Sequence, residues 1–352
     1  MKVTLIRLPL VAPLGSVNNE PTPPLGLAFL AASLKQAGFD IQGIDATGEN
    51  IENIKKIPNK KLQYNGIDID SLVERIDLDA KVIGVSSMFT HEWTYVRECI
   101  TKLKNNFPSI PIIAGGEHIS ALPEYSLRDC KGLDYVALGE GEETIVDFCK
   151  QIEKGKSPNQ VDGICRLSQN KYVKNSPRRR IKNVDQIPWP DWDVFKIEPY
   201  LDNSISFGAS FGRNIPIMAT RGCPYQCTFC SNLEMWTKRY YMRKPEDVID
   251  EIKYYIEKYK VEGIQFYDLT AIVKKQWIIE FCNLYLDNNL SIEWSLPSGT
   301  RSEVLDDEVL QMLSETNLRY LVYAPESGSK NMLEKIKKRI TLSSMIHSVK
   351  TA

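Results

Sequence analysis

The chain is most informative at residues 215–230, which read IPIMATRGCPYQCTFC. The apolar start of this stretch predicts a buried strand at 215–219, and a cysteine-rich turn follows it. Cys223, Cys227 and Cys230 have the spacing C-x3-C-x2-C, and cysteine thiolates are the usual protein ligands of iron–sulfur clusters. A cubane cluster normally takes four protein ligands, so three grouped cysteines would leave one iron free to bind another molecule.

Two other uses of this cysteine loop stay open. A structural zinc site needs four ligands, commonly as two close doublets. The sequence offers no second doublet, and its histidines, His91, His118 and His347, are remote along the chain. A redox dithiol would need only a C-x-x-C pair, which leaves Cys223 surplus. We therefore favour a cluster with an open site.

Strand and helix patterns continue after the cysteine loop. The apolar spacing predicts a helix that begins at Pro245, and further helices at about 273–287 and 306–315. The predicted strands are 263–267, 291–296 and 318–324. This alternation is similar to part of a βα barrel, whose chemistry lies at the carboxyl ends of its strands.

The first 155 residues show the same alternation. Helical patterns separate five predicted strands, at 2–8, 39–45, 81–87, 110–114 and 134–138. We therefore predict a doubly wound, Rossmann-like parallel sheet. Glycine and small polar residues follow several of these strands, and doubly wound sheets bind ligands at that edge.

The remaining segments have weaker patterns. Residues 46–75 are polar, and we expect an irregular insertion there. Residues 156–212 predict a linker with one small hairpin near 163–173. The predicted organisation is therefore a first domain at 1–155, the linker, and a βα domain at 213–352.

Charge and composition limit the classes of partner. The chain has 352 residues and a net charge of −1, whereas a general binder of nucleic acid or anionic membrane should be basic. No apolar run reaches the length of a membrane span. The eight cysteines are too few and too scattered for a disulfide scaffold, which predicts a reduced, cytoplasmic compartment.

The stretch from Ala219 to Cys230 resembles the signature of the radical S-adenosylmethionine (SAM) enzymes. In that superfamily the three cysteines bind a [4Fe–4S] cluster, whose free iron chelates SAM. Electron transfer then cleaves SAM to methionine and a 5′-deoxyadenosyl radical. The resemblance implies a reducing partner such as flavodoxin or ferredoxin. Members usually have six βα units, so with four strands before Arg339 we expect an incomplete barrel.

The resemblance also implies SAM-binding residues. Phe229 lies between the last two cysteines, where the superfamily places an aromatic residue near adenine. Asp268 and Thr270 resemble the segment that contacts the SAM amino group. Glu326 and Ser327 resemble the segment near its ribose and amino-acid part. Arg301 follows the third strand of this series, and for Arg301 and Glu326 a structural ion pair or a solvated charge is the alternative.

Residues 1–150 resemble the cobalamin-binding domain that precedes the radical SAM domain in one large subfamily. The implied cobalamin-binding residues are Pro24, Gly26, Ser86, Ser87, Gly115, Gly116, His118, Gly139, Glu140 and Gly141. The cobalt-ligating motif D-x-H-x-x-G does not occur in the sequence. We therefore interpret His118 as a loop histidine that bonds the backbone or the cofactor tail, and His91 as a residue at a helix start.

The resemblance implies a cobalamin-dependent radical SAM methyltransferase that acts on an unactivated carbon or phosphorus of a small molecule. A radical cyclase or rearrangement enzyme with the same cofactors is one alternative. A second uses SAM and the cluster alone, with the first domain binding substrate. A third is a noncatalytic cofactor-binding or partner subunit. The sequence does not identify the substrate.

Overall fold

The computed structural model describes residues 1–16 and 21–352, which fall into two units. The first unit comprises Met1–Ile181 and Ile187–Pro199, and the second comprises Lys182–Gln186 and Tyr200–Ala352. The residues of the predicted linker are therefore divided between the two units. No helix in the described ranges is long and apolar enough to cross a membrane.

The first unit contains ten strands and six helices among the described residues. The strands are β1 (Lys2–Arg7), β2 (Leu10–Pro13), β3 (Asp40–Asp45), β4 (Ile54–Lys56), β5 (Leu62–Asn65), β6 (Ala80–Ser86), β7 (Ile112–Gly115), β8 (Tyr135–Ala137), β9 (Ile164–Ser168) and β10 (Lys171–Lys174). The helices are α1 (Leu25–Gln36), α2 (Ile69–Arg75), α3 (Trp93–Asn106), α4 (Glu117–Ala121), α5 (Pro123–Asp129) and α6 (Glu142–Glu153).

The main sheet of the first unit has seven strands in the order β10-β9-β8-β7-β6-β1-β3. Strands β3, β1, β6, β7 and β8 are parallel, as predicted for a doubly wound sheet. Val3, Leu5 and Ile6 of β1 are fully buried, because a central parallel strand is covered on both faces. The hairpin predicted near 163–173 is β9 and β10, and it extends this sheet by antiparallel pairing with β8.

The expectation of an irregular insertion at 46–75 was wrong. Strands β4 and β5 lie there and form a small antiparallel sheet with β2, and α2 follows β5. The Asp68 side chain caps α2 by accepting the Ser71 N–H at 2.8 Å. Ile57, Tyr64 and Leu72 are buried in the core, so these few apolar side chains hold an otherwise polar segment in place.

The second unit continues the alternation. A short helix, α7 (Glu198–Asp202), crosses the boundary between the units. The strands that follow are β11 (Asn214–Ile217), β12 (Thr220–Arg221), β13 (Tyr241–Met242), β14 (Gly263–Phe266), β15 (Glu293–Thr300) and β16 (Leu318–Tyr323). The helices are α8 (Asn232–Trp236), α9 (Pro245–Tyr259), α10 (Lys275–Asp287), α11 (Asp307–Glu315), α12 (Lys330–Lys335) and α13 (Leu342–Thr351).

Four strands of the second unit form a parallel sheet in the order β11-β14-β15-β16. Phe266 of β14 and Trp294 of β15 pack edge to face with ring centroids 5.5 Å apart, and Phe281 of α10 contacts both. The strand predicted at 215–219 is shorter than expected. It ends at Ile217, and the chain then enters β12, which pairs with β13 in an antiparallel ribbon.

Candidate functional site

A buried carboxylate holds the chain where it enters the cysteine loop. Asp268, just after β14, accepts the N–H of Ala219 at 3.2 Å, and also the N–H and hydroxyl of Thr220. Its side chain is almost completely buried. Burial raises the pKa of Asp268 to about 6, although the hydrogen bonds from Thr220 and Ala219 oppose the rise. The carboxylate therefore fixes the backbone a few residues before Cys223.

A second buried charge fixes the same stretch from another side. The Arg243 side chain donates to the Met218 carbonyl at 3.1 Å, and its backbone N–H donates to the Ala219 carbonyl at 2.9 Å. Its guanidinium is paired with the fully buried Glu251 and with Asp247. Sequence reasoning missed this network. A signal existed, because Asp247 and Glu251 are one helical turn apart on α9.

The cysteine loop brings three thiols into one short segment. The Cys230 N–H donates to the Cys227 carbonyl at 3.2 Å, and the Asn232 side chain donates to the Cys223 carbonyl at 3.2 Å. Cys223 and Cys227 are half-buried and Cys230 is exposed. Burial raises the pKa of the Cys223 thiol, and the positive charge of Arg301 opposes that rise.

The cysteine sulfurs do not converge on a metal position. Among the described residues, no group of three or more His, Cys, Asp or Glu side chains is arranged to hold a metal ion. The loop nevertheless supplies the donor set of an open-site cluster, because it carries three thiols within eight residues of sequence. The assignment of a cluster to this loop therefore rests on the chemistry of the three cysteine thiols.

Arg301 lies against the cysteine loop. Its guanidinium carbon is 3.5 Å from the centroid of the Tyr225 ring, a close cation–π contact. The same side chain donates to Glu303 at 2.9 Å, to the Arg339 carbonyl at 3.0 Å and to the Lys338 carbonyl. Arg301 is only 5% exposed, and its Nε and Nη2 groups both donate to these protein partners.

The other predicted SAM residues differ in what their side chains contact. The Thr270 hydroxyl is buried and has no hydrogen-bond partner within the described part of the chain. Phe229 is 59% exposed. Glu326 pairs with Lys338 at 2.9 Å, and the Ser327 hydroxyl accepts the Ser329 N–H at 3.1 Å. Of these side chains, Thr270 has an unsatisfied buried polar atom, which a ligand could satisfy.

The predicted cobalamin residues at the carboxyl ends of β6 and β7 bring two stretches of backbone close together, because the two strands are neighbours in the sheet. The Ser87 N–H donates to the Gly115 carbonyl at 2.8 Å. Gly116 has φ +114°, and a Cβ there would lie 2.5 Å from the Ser87 carbonyl oxygen. Ser86 ends β6 beside them. The Ser87 hydroxyl is buried and has no hydrogen-bond partner among residues 1–16 and 21–352, so it can serve a ligand at this edge.

His118 is held by side chains of its own unit. Its Nδ1 lies 3.0 Å from the Thr90 hydroxyl, and its Nε2 lies 3.3 Å from the Ser126 hydroxyl. Its ring centroid is 4.7 Å from that of Trp93. Burial lowers the pKa of His118 and favours the neutral ring. Within the chain the ring's partners are therefore two hydroxyls and not the backbone, and a bond to the cofactor tail stays a prediction.

Some of the remaining predicted cobalamin residues are held against other parts of the first unit, and one has open space beside it. Glu140 is buried and accepts from the Arg180 Nε at 2.6 Å and from the Ile181 N–H at 3.1 Å. The Gly139 N–H donates to the Ser120 hydroxyl at 3.1 Å. A Cβ at Gly141 would lie 3.0 Å from a methyl group of Leu30, whereas nothing lies within 4 Å of one at Gly26. Pro24 precedes α1.

Two family models match the chain. One, described as the B12 binding domain, matches residues 13–148, and the other, the radical SAM superfamily, matches residues 217–352. The chain therefore carries a B12-binding domain followed by a radical SAM domain. The family and the fold class predicted from the sequence are both confirmed.

Sequence relatives include methyltransferases and a cyclase. An uncharacterised methyltransferase of Pyrococcus horikoshii is 28% identical over 100% of this chain and 71% of its own length. Cytidylyl-2-hydroxyethylphosphonate methyltransferase of Streptomyces wedmorensis is 26% identical over 94% of this chain and 66% of its own. An anaerobic magnesium-protoporphyrin IX monomethyl ester cyclase of Cereibacter sphaeroides is 25% identical over 91% of this chain, which spans 50% of that relative.

Two solved structures have the same fold. The radical SAM methyltransferase TsrM from Kitasatospora setae, with tryptophan and a SAM analogue bound, matches 99% of this chain and 65% of its own. The TM-score is 0.73 at 16% identity. The cobalamin-dependent SAM radical enzyme OxsB with aqua-cobalamin bound matches 99% of this chain and 47% of its own, with a TM-score of 0.79 at 19% identity.

Proposed function

We propose that the chain is a cobalamin-dependent radical SAM methyltransferase that acts on a small-molecule substrate in the cytoplasm. The observation that carries this proposal is the C-x3-C-x2-C loop, whose entry is fixed by Asp268 and Arg243. The match to a B12-binding domain supports a second cofactor in the first unit. An electron donor of the flavodoxin or ferredoxin class would supply the reducing electron.

The cysteine loop and its neighbours would hold the radical-generating cofactors. Cys223, Cys227 and Cys230 would bind the [4Fe–4S] cluster through their thiolates. When bound, the cluster with SAM supplies a carbon-centred radical and cobalamin supplies the methyl group. The unsatisfied Thr270 hydroxyl would bind a polar group of SAM. Because both oxygens of Asp268 already accept hydrogen bonds, we assign it to positioning the loop and not to binding SAM.

The first unit would hold cobalamin at the carboxyl ends of its parallel strands. The Ser87 hydroxyl would donate a hydrogen bond to the cofactor. Gly115 would let it approach the backbone, because a Cβ there would meet only Ala137 at 3.9 Å, whereas Gly116 allows the close packing of Ser87. The open position at Gly26 would admit part of the cofactor beside α1.

A radical cyclase is the second candidate, and the Cereibacter sphaeroides relative favours it. The two functions share their cofactors and differ in the product. A methyltransferase gives a product in which a methyl group has replaced a hydrogen, whereas a cyclase adds no carbon. Mass spectrometry with SAM labelled in its methyl group distinguishes them, because only methyl transfer carries the label into the product.

The first experiment is anaerobic reconstitution with iron, sulfide and cobalamin, followed by desalting and an absorption spectrum. We expect broad iron–sulfur absorption together with retained corrinoid bands, and SAM cleavage on reduction. Cys227→Ala should lose the cluster and SAM cleavage. Gln226→Ala, a non-thiol neighbour in the same loop, should retain both. A cluster without retained corrinoid would contradict the cobalamin part of the proposal, and SAM cleavage by Cys227→Ala would contradict the cluster assignment.

A further inference from the structure

A basic segment, residues 330–339, lies beside the cysteine loop. Five of its ten residues are Lys or Arg and one is Glu, in a chain whose net charge is −1. The segment contains α12 and the turn that follows it. Lys330, Lys335, Lys337 and Arg339 are exposed. The segment is therefore a local excess of positive charge on a nearly neutral protein.

The exposed cations of this segment have no ion-pair partners within residues 1–16 and 21–352. Lys338 is buried and pairs with Glu326 at 2.9 Å. The other four basic residues make no salt bridge to any residue in the described ranges. The fold therefore leaves four exposed cations close together without ion pairs among the described residues, which favours binding of an acidic partner.

Direct contacts join the basic segment to the cysteine loop. The Thr228 N–H, between Cys227 and Cys230, donates to the Ile336 carbonyl at 3.1 Å. Arg301 forms a second link, since it donates to carbonyls of the basic segment and its guanidinium lies over the Tyr225 ring of the loop. The loop is open to solvent at this place, where Cys230 is exposed.

We propose that the basic segment is the docking surface for an acidic, low-potential electron-transfer protein of the flavodoxin or ferredoxin class. This inference rests on the proposed function, because the electron would pass to the cluster held by the neighbouring thiolates. The donor loses one electron and the cluster gains one, and no bond forms or breaks in this step. Opposite charges steer such encounters and set their salt dependence.

The test measures binding of oxidised, FMN-loaded flavodoxin to the reconstituted protein by titration calorimetry at low and at moderate salt. Lys335→Glu combined with Lys337→Glu should weaken binding about tenfold or more and flatten its salt dependence. Lys154→Glu combined with Lys156→Glu is the matched control, because these exposed lysines lie after α6 in the first unit. The control should bind within about twofold of the unaltered protein.

Further measurements distinguish failure of the docking inference from failure of the proposed function. The rate of cluster reduction by reduced flavodoxin should fall in parallel with affinity, while Lys335→Arg combined with Lys337→Arg should restore both. If the reversed variant does not fold, Lys335→Gln combined with Lys337→Gln replaces it, with a smaller expected loss. Equal flavodoxin affinity in the reversed and unaltered proteins would overturn the inference. Loss of affinity for a structured RNA, without loss for flavodoxin, would also overturn it. Failure of the unaltered protein to take up a cluster would instead contradict the proposed function.

Discussion

The Asp268 carboxylate accepts hydrogen bonds from both the backbone N–H and the side-chain hydroxyl of Thr220, three residues before the first cysteine of the loop. Ala219 donates a third hydrogen bond to the same carboxylate at 3.2 Å. Arg243 contacts the adjacent Met218 carbonyl. Two buried charges of opposite sign thus fix three consecutive residues, and the direction in which the loop leaves the sheet follows from them.

The buried Asp268 carboxylate predicts a pH dependence of stability. Its pKa in the folded protein, about 6, lies above the ordinary value of 3.8. Between these values the folded state holds the proton more tightly, so this residue's contribution to stability is fully present below about pH 4 and is lost as the pH rises through about 6. Urea unfolding of the cluster-free protein across this range should show the decline. Asp268→Asn should flatten it, and an unchanged slope would contradict the assignment.

The Arg243–Glu251 pair predicts non-additive effects on stability. Arg243→Met leaves Glu251 as an unpaired, fully buried carboxylate, and should lower the free energy of unfolding by about 3–5 kcal/mol. Combining it with Glu251→Leu removes the uncompensated charge, so the double variant should lose less than Arg243→Met alone. Urea titrations of Arg243→Met, of Glu251→Leu and of the double variant measure the coupling energy between the two side chains. Additive losses would show that the two side chains act independently.

The sequence predicted the parallel strands because their apolar runs are local and continuous, as in β1. It missed the sheet formed by β2, β4 and β5, whose strands have three or four residues and include exposed lysines. Such short segments carry little periodicity, and their structure depends on the pairing of β5 with β2, which is distant in sequence, and on burial of Tyr64 of β5. No local pattern could specify that pairing.

The sequence also predicted which residues follow the strand ends, but not which way their side chains point. Asp268 and Glu140 both follow strands, and both turn towards protein partners, Thr220 and Arg180, that lie 48 and 40 residues away in sequence. These contacts depend on tertiary packing. Ser87 and Thr270 are the opposite case, since the structure leaves their buried hydroxyls without partners in the described ranges.

For His118 we predict that substitution lowers the stability of the protein and leaves the coordination of cobalt unchanged. Because both ring nitrogens bond hydroxyls of the same unit, His118→Ala should lower the free energy of unfolding by about 1–3 kcal/mol. The absorption spectrum of retained cobalamin should not change its coordination signature. Thr90→Ala is a companion variant that removes one partner and should destabilise less. A changed corrinoid spectrum in His118→Ala would identify the imidazole as a cobalt ligand and contradict this interpretation.

For Ser87 we predict the reverse of the His118 result: substitution should weaken cobalamin binding without lowering stability. Its hydroxyl is buried without a hydrogen-bond partner in the described part of the chain, so Ser87→Ala removes an unsatisfied polar group and should leave the cobalamin-free protein as stable as before or more so. Cobalamin should then bind roughly three- to tenfold more weakly, the equivalent of one hydrogen bond. Equilibrium dialysis measures the affinity and urea unfolding measures the stability.

Ser295→Ala is the matched control for Ser87→Ala, because the Ser295 hydroxyl of β15 is also buried without a hydrogen-bond partner among the described residues. It lies in the second unit, whereas Ser87 lies in the first. It should likewise leave stability equal or higher, yet leave cobalamin affinity unchanged. If both variants lose affinity equally, or neither does, the Ser87 hydroxyl makes no specific bond to cobalamin. Loss in Ser87→Ala alone assigns that hydroxyl to the cofactor, since both substitutions remove the same group from the same kind of surroundings.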